Sequence, residues 1–183
     1  IFIAGAGVQW LRDKLKIIKK AKQTENISSN LKDTSEVYFV PAFTGLGAPY
    51  WNSEARGIIS GLTRNTGYQD IVRATLESVV YQSIDLFNAI KNDGLKPKLI
   101  KVDGGMTQNS WFNQFLANVS GLKVLKPQSQ ETTALGAALM AGLGYGIFKS
   151  LSQISKKNKI NRQFTPKMNK KIRLKLLNGW SQA

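Results

Sequence analysis

Cysteine and histidine are both absent from the 183 residues. The first absence excludes disulfides and thiolate metal sites. The second removes the commonest general base, the commonest zinc ligand and any Ser-His nucleophile pair. Acids are scarce as well, with 11 Asp and Glu against 26 Lys and Arg. No apolar run approaches the roughly 20 residues that a membrane-spanning helix needs. The opening Ile1-Phe2-Ile3-Ala4-Gly5 is too short for a signal-peptide core and no small-residue cleavage site follows. It has no Met and no basic lead-in. It reads as an apolar strand in the middle of a protein, so the chain is expected to be a fragment, whether by design or through a broken gene.

What is present is ordinary for a globular domain: 42% hydrophobic and 20% charged residues, in a length that allows one real core. The net charge of +15 raises the question of a polyanion partner. The excess is nearly all Lys, clustered at Lys14 to Lys22 and Lys156 to Lys175, where a solvated surface is the simpler reading. Nucleic acid is therefore not the expected partner.

Periodicity places the elements. Val8, Leu11, Leu15 and Ile18 recur at helical spacing after Gly5-Ala6-Gly7. The polar stretch from Lys22 to Asn30 is expected as a surface loop or short helix pair. Val37 to Val40 reads as a strand stopped by Pro41. Phe43 to Trp51 is too rich in Gly, Pro and aromatics for a helix, and should be an ordered loop pinned by Tyr50 and Trp51. Gly57 to Leu62 predicts a short strand, and Tyr68 to Lys91 a long helix ended by Asp93-Gly94. Leu99 to Asp103 predicts a strand. Asn109 or Ser110 should cap a helix that turns Trp111, Phe112, Phe115, Leu116 and Val119 inward. Leu122 to Leu125 is a further strand. Thr132 is expected to cap a small-residue helix, Thr133 to Gly142, which another backbone could approach closely. A basic segment beyond Phe148 should end in a helix near Asn169 to Leu177. Alternating strand and helix argues α/β.

The strongest local constellation is Val102-Asp103-Gly104-Gly105-Met106-Thr107-Gln108-Asn109. A strand ends, two glycines turn the chain and a helix begins. Ligands in α/β sheets sit beyond the carboxyl ends of strands, and a helix start offers free N–H groups. The Lys-Ser/Thr of a Walker A loop is missing. A tight turn without a ligand is the alternative. Ala4-Gly5-Ala6-Gly7-Val8-Gln9 resembles the start of a Gly-x-Gly dinucleotide loop, but Trp10 stands where a third glycine belongs. Glu77 is expected to make a structural hydrogen bond, Asp103 to accept from its own turn, Glu131 to sit at a helix start, and Arg56 to serve its loop rather than a phosphate.

Several of these pieces, in this order, resemble the FGGY carbohydrate kinases, and among them the glycerol kinases. Phe2 to Asp13 is similar to the segment that opens their second half. Val40 to Trp51, followed by Ala55-Arg56-Gly57, is similar to the glycerol-kinase loop. Gly57, Ile59, Gly61-Leu62, Asp70-Ile71 and Ala74-Thr75-Leu76-Glu77 resemble the second family signature. Val102 to Gly105 and Thr133 to Ala138 complete the set. The likeness runs from Ile1 to about Phe148 and continues weakly to Trp180.

The resemblance implies an α/β fold of the actin-like, hexokinase-like (ribonuclease H-like) ATPase type. Residues 1–150 would be the nucleotide-binding second domain, its amino-terminal part missing. Residues 151–183 would be a basic tail with a terminal helix. The implied reaction of the intact enzyme is ATP-dependent phosphorylation of glycerol to glycerol 3-phosphate, with ATP/ADP and Mg²⁺ as cofactors. Gly5 and Gln9 would line the phosphate and ribose side, and Gly105 and Asn109 the adenosine portion. The catalytic base, the first phosphate loop and the glycerol-binding residues are implied upstream of Ile1, so no catalytic and no metal-ligating residue is assigned here. The implied partners are glycerol and the amino-terminal domain, in the cytoplasm, with no membrane and with homo-oligomerisation left open. A kinase of another polyol, or a non-catalytic nucleotide-binding relic, are the competing readings. The isolated chain is expected to be inactive, and marginally stable or self-associating because apolar surface at Ile1-Phe2-Ile3 loses its cover.

Overall fold

A computed structural model describes residues 3–31, 36–129, 131–155 and 160–183. The apolar opening at Ile1 and Phe2, and the lysine-rich residues 156–159, lie outside the described residues. The chain runs α1 (Gly5–Asp13), α2 (Gln23–Asn30), β1 (Tyr38–Val40), β2 (Ile58–Ser60), α3 (Tyr68–Asn92), β3 (Leu99–Lys101), a 3₁₀ turn (Gly105–Gln108), α4 (Ser110–Ser120), β4 (Lys123–Pro127), α5 (Thr132–Gly144), α6 (Leu151–Ser155), β5 (Ile160–Phe164) and α7 (Lys170–Gln182). Among the described residues no helix is long and apolar enough to cross a membrane.

The strands form two small sheets. β1 and β2 pair antiparallel, Phe39 opposite Ile59. β4 is the centre of the other sheet, parallel to β3 with Ile100 opposite Val124, and antiparallel to β5 with Val124 opposite Phe164. The parallel pair is joined through α4, the crossover that parallel strands require.

α3 is the pillar between these layers. A capping box starts it: Asp70 accepts from the Gly67 N–H at 2.8 Å, which satisfies a donor the helix itself cannot. Val72, Ala74, Leu76, Val79, Val80, Tyr81 and Ile84 are buried along it. Val72 and Leu76 meet Val8, Leu11 and Ile18; Val79, Val80 and Tyr81 meet Phe112, Phe115, Leu116, Val124, Phe164, Leu176 and Trp180. The segment from 151 onward thus contributes Phe164, Leu176 and Trp180 to the main core. Trp180 stacks on Tyr81 with ring centres 5.2 Å apart, and its indole N–H donates to Asp85 at 2.8 Å.

Three local expectations need correction. The first helix ends at Asp13 rather than continuing through Ile18. Lys16 takes φ 58°, and the chain folds back so that Ile17 N–H donates to the Leu11 carbonyl at 3.1 Å. Ile18 therefore reaches the core beside Leu11, while Leu15 is exposed. In the loop after β1, Trp51 is 74% exposed and anchors nothing. Phe43 does that work, 5.4 Å from Trp10 and 5.9 Å from Phe39, with a Leu46–Asn52 backbone bridge closing the loop. Tyr50, also exposed, holds on through its hydroxyl to Asp85; burial and that carboxylate push the phenol up to about 12. Third, Glu131 rather than Thr132 occupies the cap position of α5, and its side chain makes no cap bond. Among the described residues no backbone approaches Gly136; Phe148 packs against Gly142 instead.

One charged group lies in the centre of the pillar. Glu77 is 3% exposed. It accepts from Arg73 Nε at 2.8 Å and from the Tyr81 hydroxyl at 3.0 Å. Burial pushes its carboxyl up, while Arg73 and Tyr81 pull it back down. Replacing Arg73 by Met leaves a buried carboxylate without its cation, which is expected to cost about 3–5 kcal/mol near neutral pH. The loss depends on pH. Removing the cation raises the folded pKa of Glu77 further above its unfolded value of 4.5. Stability is then fully present below that unfolded value and drains away as pH rises through the folded one. Melting the parent and Arg73→Met at about pH 5 and about pH 7 checks this: the gap between them should be narrower in acid, and an unchanged gap would contradict the assignment.

Candidate functional site

All four residues singled out from the sequence, Gly5, Gln9, Gly105 and Asn109, line one cavity of about 860 Å³. Segments 100 residues apart in the chain are brought together by α3, against which α1, α2 and α4 all pack. The other wall residues include Arg12, Lys22, Thr24, Glu25, Asp103 and Gln108. A second, more basic groove lies between α7 and β1–β2, lined by Glu36, Lys170, Lys171 and Lys175. It contains none of the four residues, and Lys175 there is salt-bridged to Glu36.

The glycines of the first cavity are informative. A Cβ added at Gly5, Gly104 or Gly105 would meet nothing within 4 Å. Gly104, at φ +90°, needs glycine for its backbone. Neither positive φ nor crowding explains glycine at Gly5 or Gly105, so the protein's own packing does not demand it there. Gly7, by contrast, is small because a Cβ would press on the Thr75 methyl at 2.9 Å. The open faces at Gly5 and Gly105 leave bare backbone along the cavity wall.

Two helices begin on this cavity and end their first turns differently. α1 starts at Gly5 with no side-chain cap; the Gly7 N–H turns back to the Ala4 carbonyl at 3.1 Å, which leaves the Gly5 and Ala6 N–H groups available. At α4 the protein fills the equivalent places itself. Asn109 Oδ1 accepts from the Phe112 N–H at 2.9 Å, and a Glu25 carboxylate oxygen accepts from the Ser110 N–H at 3.0 Å. Asn109 Nδ2 donates to the Thr24 hydroxyl at 3.3 Å. The 3₁₀ turn is held from below, with Thr107 donating to the Gly104 carbonyl and the Asn113 amide to the Thr107 carbonyl, each at 2.7 Å.

Asp103 closes the strand end. It accepts from the Thr132 hydroxyl and from the Gly104 N–H, and these bonds hold its carboxyl below the usual range. This is the turn-accepting role expected from the sequence. Arg56 likewise serves its own loop, donating to the Ser53 and Ala55 carbonyls at 2.8 and 2.9 Å. Among the described residues no group of three or more acids converges where a metal ion could sit.

α2 is the wall the sequence reading missed. Its polar stretch was expected on the surface, yet Thr24 and Ser28 are buried and Thr24 and Glu25 face the cavity. The available signal was Thr24, Ile27, Ser28 and Leu31 at helical spacing, a stripe too polar to register as a hydrophobic face.

Asn109→Ala removes the α4 cap and should cost about 1 kcal/mol of stability. Asn109→Asp keeps the accepting oxygen and should recover most of it. Asn109→Leu keeps the volume but has no acceptor; urea denaturation should group it with Asn109→Ala if the residue caps α4, and with the parent if it only fills space.

The sequence pattern of the FGGY family of carbohydrate kinases, C-terminal domain, matches residues 1–145. Among curated proteins, the glycerol kinase of Coxiella burnetii is 51% identical over 183 residues, covering 100% of this chain and 36% of that protein. The glycerol kinase of Caldanaerobacter subterraneus is 50% identical over 184 residues, again covering 100% of this chain, and 37% of its own length. Among solved structures, Plasmodium falciparum glycerol kinase with ADP superposes with a TM-score of 0.88 at 38% identity, over 97% of this chain and 36% of that one. The ligand-bound xylulose kinase of Lactobacillus acidophilus superposes at 0.84 with 24% identity, over 97% of this chain and 37% of that one, and shows the shared fold. The chain thus spans about a third of the length of the relatives it matches.

Proposed function

Because the chain belongs to the FGGY family of carbohydrate kinases, as their C-terminal domain, we propose that its glycine-walled cavity is the nucleotide side of a glycerol kinase cleft. In this reading ATP enters the cavity, its γ-phosphoryl group passes to a terminal hydroxyl of glycerol, and ADP and glycerol 3-phosphate leave. The proton of that hydroxyl goes to a carboxylate that no residue of this chain supplies. The observation that carries the reading is the pair of glycines, Gly5 and Gly105, bare toward the same cavity with no packing reason to be glycine.

The charge arrangement gives the nucleotide a direction. The uncapped start of α1, at Gly5, suits phosphate, because free N–H groups and the positive end of the helix dipole favour an anion. The start of α4 is already occupied by the Glu25 carboxylate, so a second anion there would be repelled. Phosphates therefore lie toward Gly5 and Gln9, and the uncharged adenosine toward Gly105 and Asn109. Gln9 is exposed, and its amide is free to donate to a phosphate or ribose oxygen. Asn109 is different: both ends of its side chain are engaged within the protein, so it shapes the adenosine wall more than it reaches for the base.

Phosphoryl transfer is mainly positioning and charge neutralisation. A magnesium ion, when it comes with the nucleotide, supplies part of that neutralisation. The carboxylates of this cavity do not fit a metal cage: Asp103 is engaged by Thr132 and Gly104, and Glu25 by Ser110. The other wall of the cleft, with the acceptor site and base, belongs in this proposal to the portion that the longer relatives have and this chain does not span.

Calorimetric titration with ADP tests the cavity. Gly5→Val and Gly105→Val should each weaken ADP at least about tenfold, since each places a branched side chain on a wall the ligand must touch. Their melting temperatures should stay close to the parent's, because both positions face open space. Equal ADP affinity in all three proteins would sink the assignment. A coupled ADP-release assay with glycerol and Mg-ATP tests the reaction. The chain alone should be silent, and glycerol-dependent turnover should appear when a separately made amino-terminal domain of a related glycerol kinase is added.

A further inference from the structure

Resting on the nucleotide reading above, we infer that Glu25 and Thr24, on α2, are positioning residues for the adenosine wall. They set the place of Asn109 and Ser110 without joining the phosphoryl chemistry.

The geometry is cross-chain. Residues 24 and 25 meet residues 109 and 110 through two hydrogen bonds: Ser110 N–H to Glu25 at 3.0 Å and Asn109 Nδ2 to Thr24 at 3.3 Å. Both α2 residues line the same cavity as Gly105 and Asn109. Thr24 is not free to turn away, because it is 3% exposed and its hydroxyl also donates to the Ala21 carbonyl at 2.7 Å. The hydroxyl is thus oriented: its proton points to Ala21, and a lone pair faces the Asn109 amide. That arrangement fixes which end of Asn109 faces α2 and leaves Oδ1 to cap α4.

The far end of α2 is also tied. Arg73 donates to the Leu31 carbonyl at 3.0 Å, just past the last turn, and its guanidinium lies 5.1 Å from the centre of the Trp111 ring on α4. α2 is therefore clamped at one end by the charged group in α3 and at the other by the start of α4. A helix so short and polar has little hydrophobic face to hold it: Ile27 packs against the cluster of Val8, Leu11, Val72 and Leu76, and these polar ties fix its two ends. Where it sits decides the width of the adenosine wall.

Glu25 has a second effect. A carboxylate at the start of a helix interacts favourably with the positive dipole end, and a charged acceptor makes the stronger kind of hydrogen bond to a backbone N–H. With that place taken, the end of the cavity nearest Gly105 rejects phosphate and accepts a neutral group. Glu25 thereby contributes to nucleotide orientation as well as to wall position.

The test is ADP titration of the full 183-residue chain carrying substitutions on α2, each variant melted in parallel. Glu25→Ala, which loses the acceptor, should raise the ADP dissociation constant about tenfold. Glu25→Gln, which keeps an accepting oxygen but no charge, should restore affinity to within about threefold of the parent. Thr24→Val should weaken ADP while Thr24→Ser matches the parent, and this pair answers the question if Glu25→Ala fails to fold. Parent-like affinity in Glu25→Ala and Thr24→Val, with the parent binding ADP, overturns this inference and leaves the nucleotide reading standing. Equal losses in Glu25→Ala and Glu25→Gln, or in Thr24→Val and Thr24→Ser, also overturn it, since a positioning bond is rescued by the conservative change. A parent that binds no ADP overturns the nucleotide reading, and this inference with it.

Discussion

The buried pairing of Arg73 with Glu77 is the constraint on which the arrangement of helices depends. A carboxylate that is 3% exposed is tolerable only when paired and hydrogen-bonded. Arg73 supplies the pairing and Tyr81 adds a hydroxyl. Arg73 then uses its remaining donors and its flat face outward, on the Leu31 carbonyl and on Trp111. One guanidinium thereby touches α2, α3 and α4. A planar fork with several donors and a stacking face does this where a lysine ammonium would not. Trp111 carries the contact onward by stacking on Phe115, ring centres 5.0 Å apart. The polar centre and the hydrophobic core are one connected object.

That connection explains how residues distant in sequence come to share a cavity. α1, α2 and α4 all take their places from α3, so the Gly5 turn and the Gly104–Gly105 turn face each other across a width that α3 sets. The β3–β4–β5 sheet contributes mainly the strand end from which Asp103 and the glycine turn emerge. Asp103 then ties that strand end to the start of α5 through Thr132. α5 otherwise stays largely exposed despite its apolar sequence, with Gly142 its one buried residue. The site is built by helices hung on a charged pillar, with the sheet as a second support.

Legibility in the sequence followed the strength of the local signal. α3 was plain within a residue, because its run is long and Asp93-Gly94 closes it. The two glycine turns were equally plain, since turn chemistry is local, and the cap of α4 was narrowed to Asn109 or Ser110. The end of α1 was not. Leu15 and Ile18 keep helical spacing, and only the left-handed turn at Lys16, chosen by tertiary packing, breaks it. Trp51 misled because a large aromatic in a Gly-rich loop suggests an anchor, whereas backbone bonds and Phe43 hold this loop. α2 was hidden for a different reason. Its buried side is made of Thr24 and Ser28, and a buried face of small polar side chains leaves no trace in a hydrophobic pattern.

Under the proposed nucleotide reading, the contrast between the two helix starts gives the cavity a direction for a charged ligand. Both starts carry the same partial positive charge by construction. The protein cancels one with Glu25 and Asn109 and leaves the other open. A triphosphate entering such a cavity meets a free donor set at one end and an occupied, negatively charged one at the other. In the proposed nucleotide reading, that asymmetry favours one of its two orientations. Arg12 and Lys22 also line this cavity and add to its attraction for anions, while Lys170, Lys171 and Lys175 line the other groove, on α7. In that reading, direction comes from weakening one of two similar attractions, and Glu25 at the start of α4 is the acid that does so.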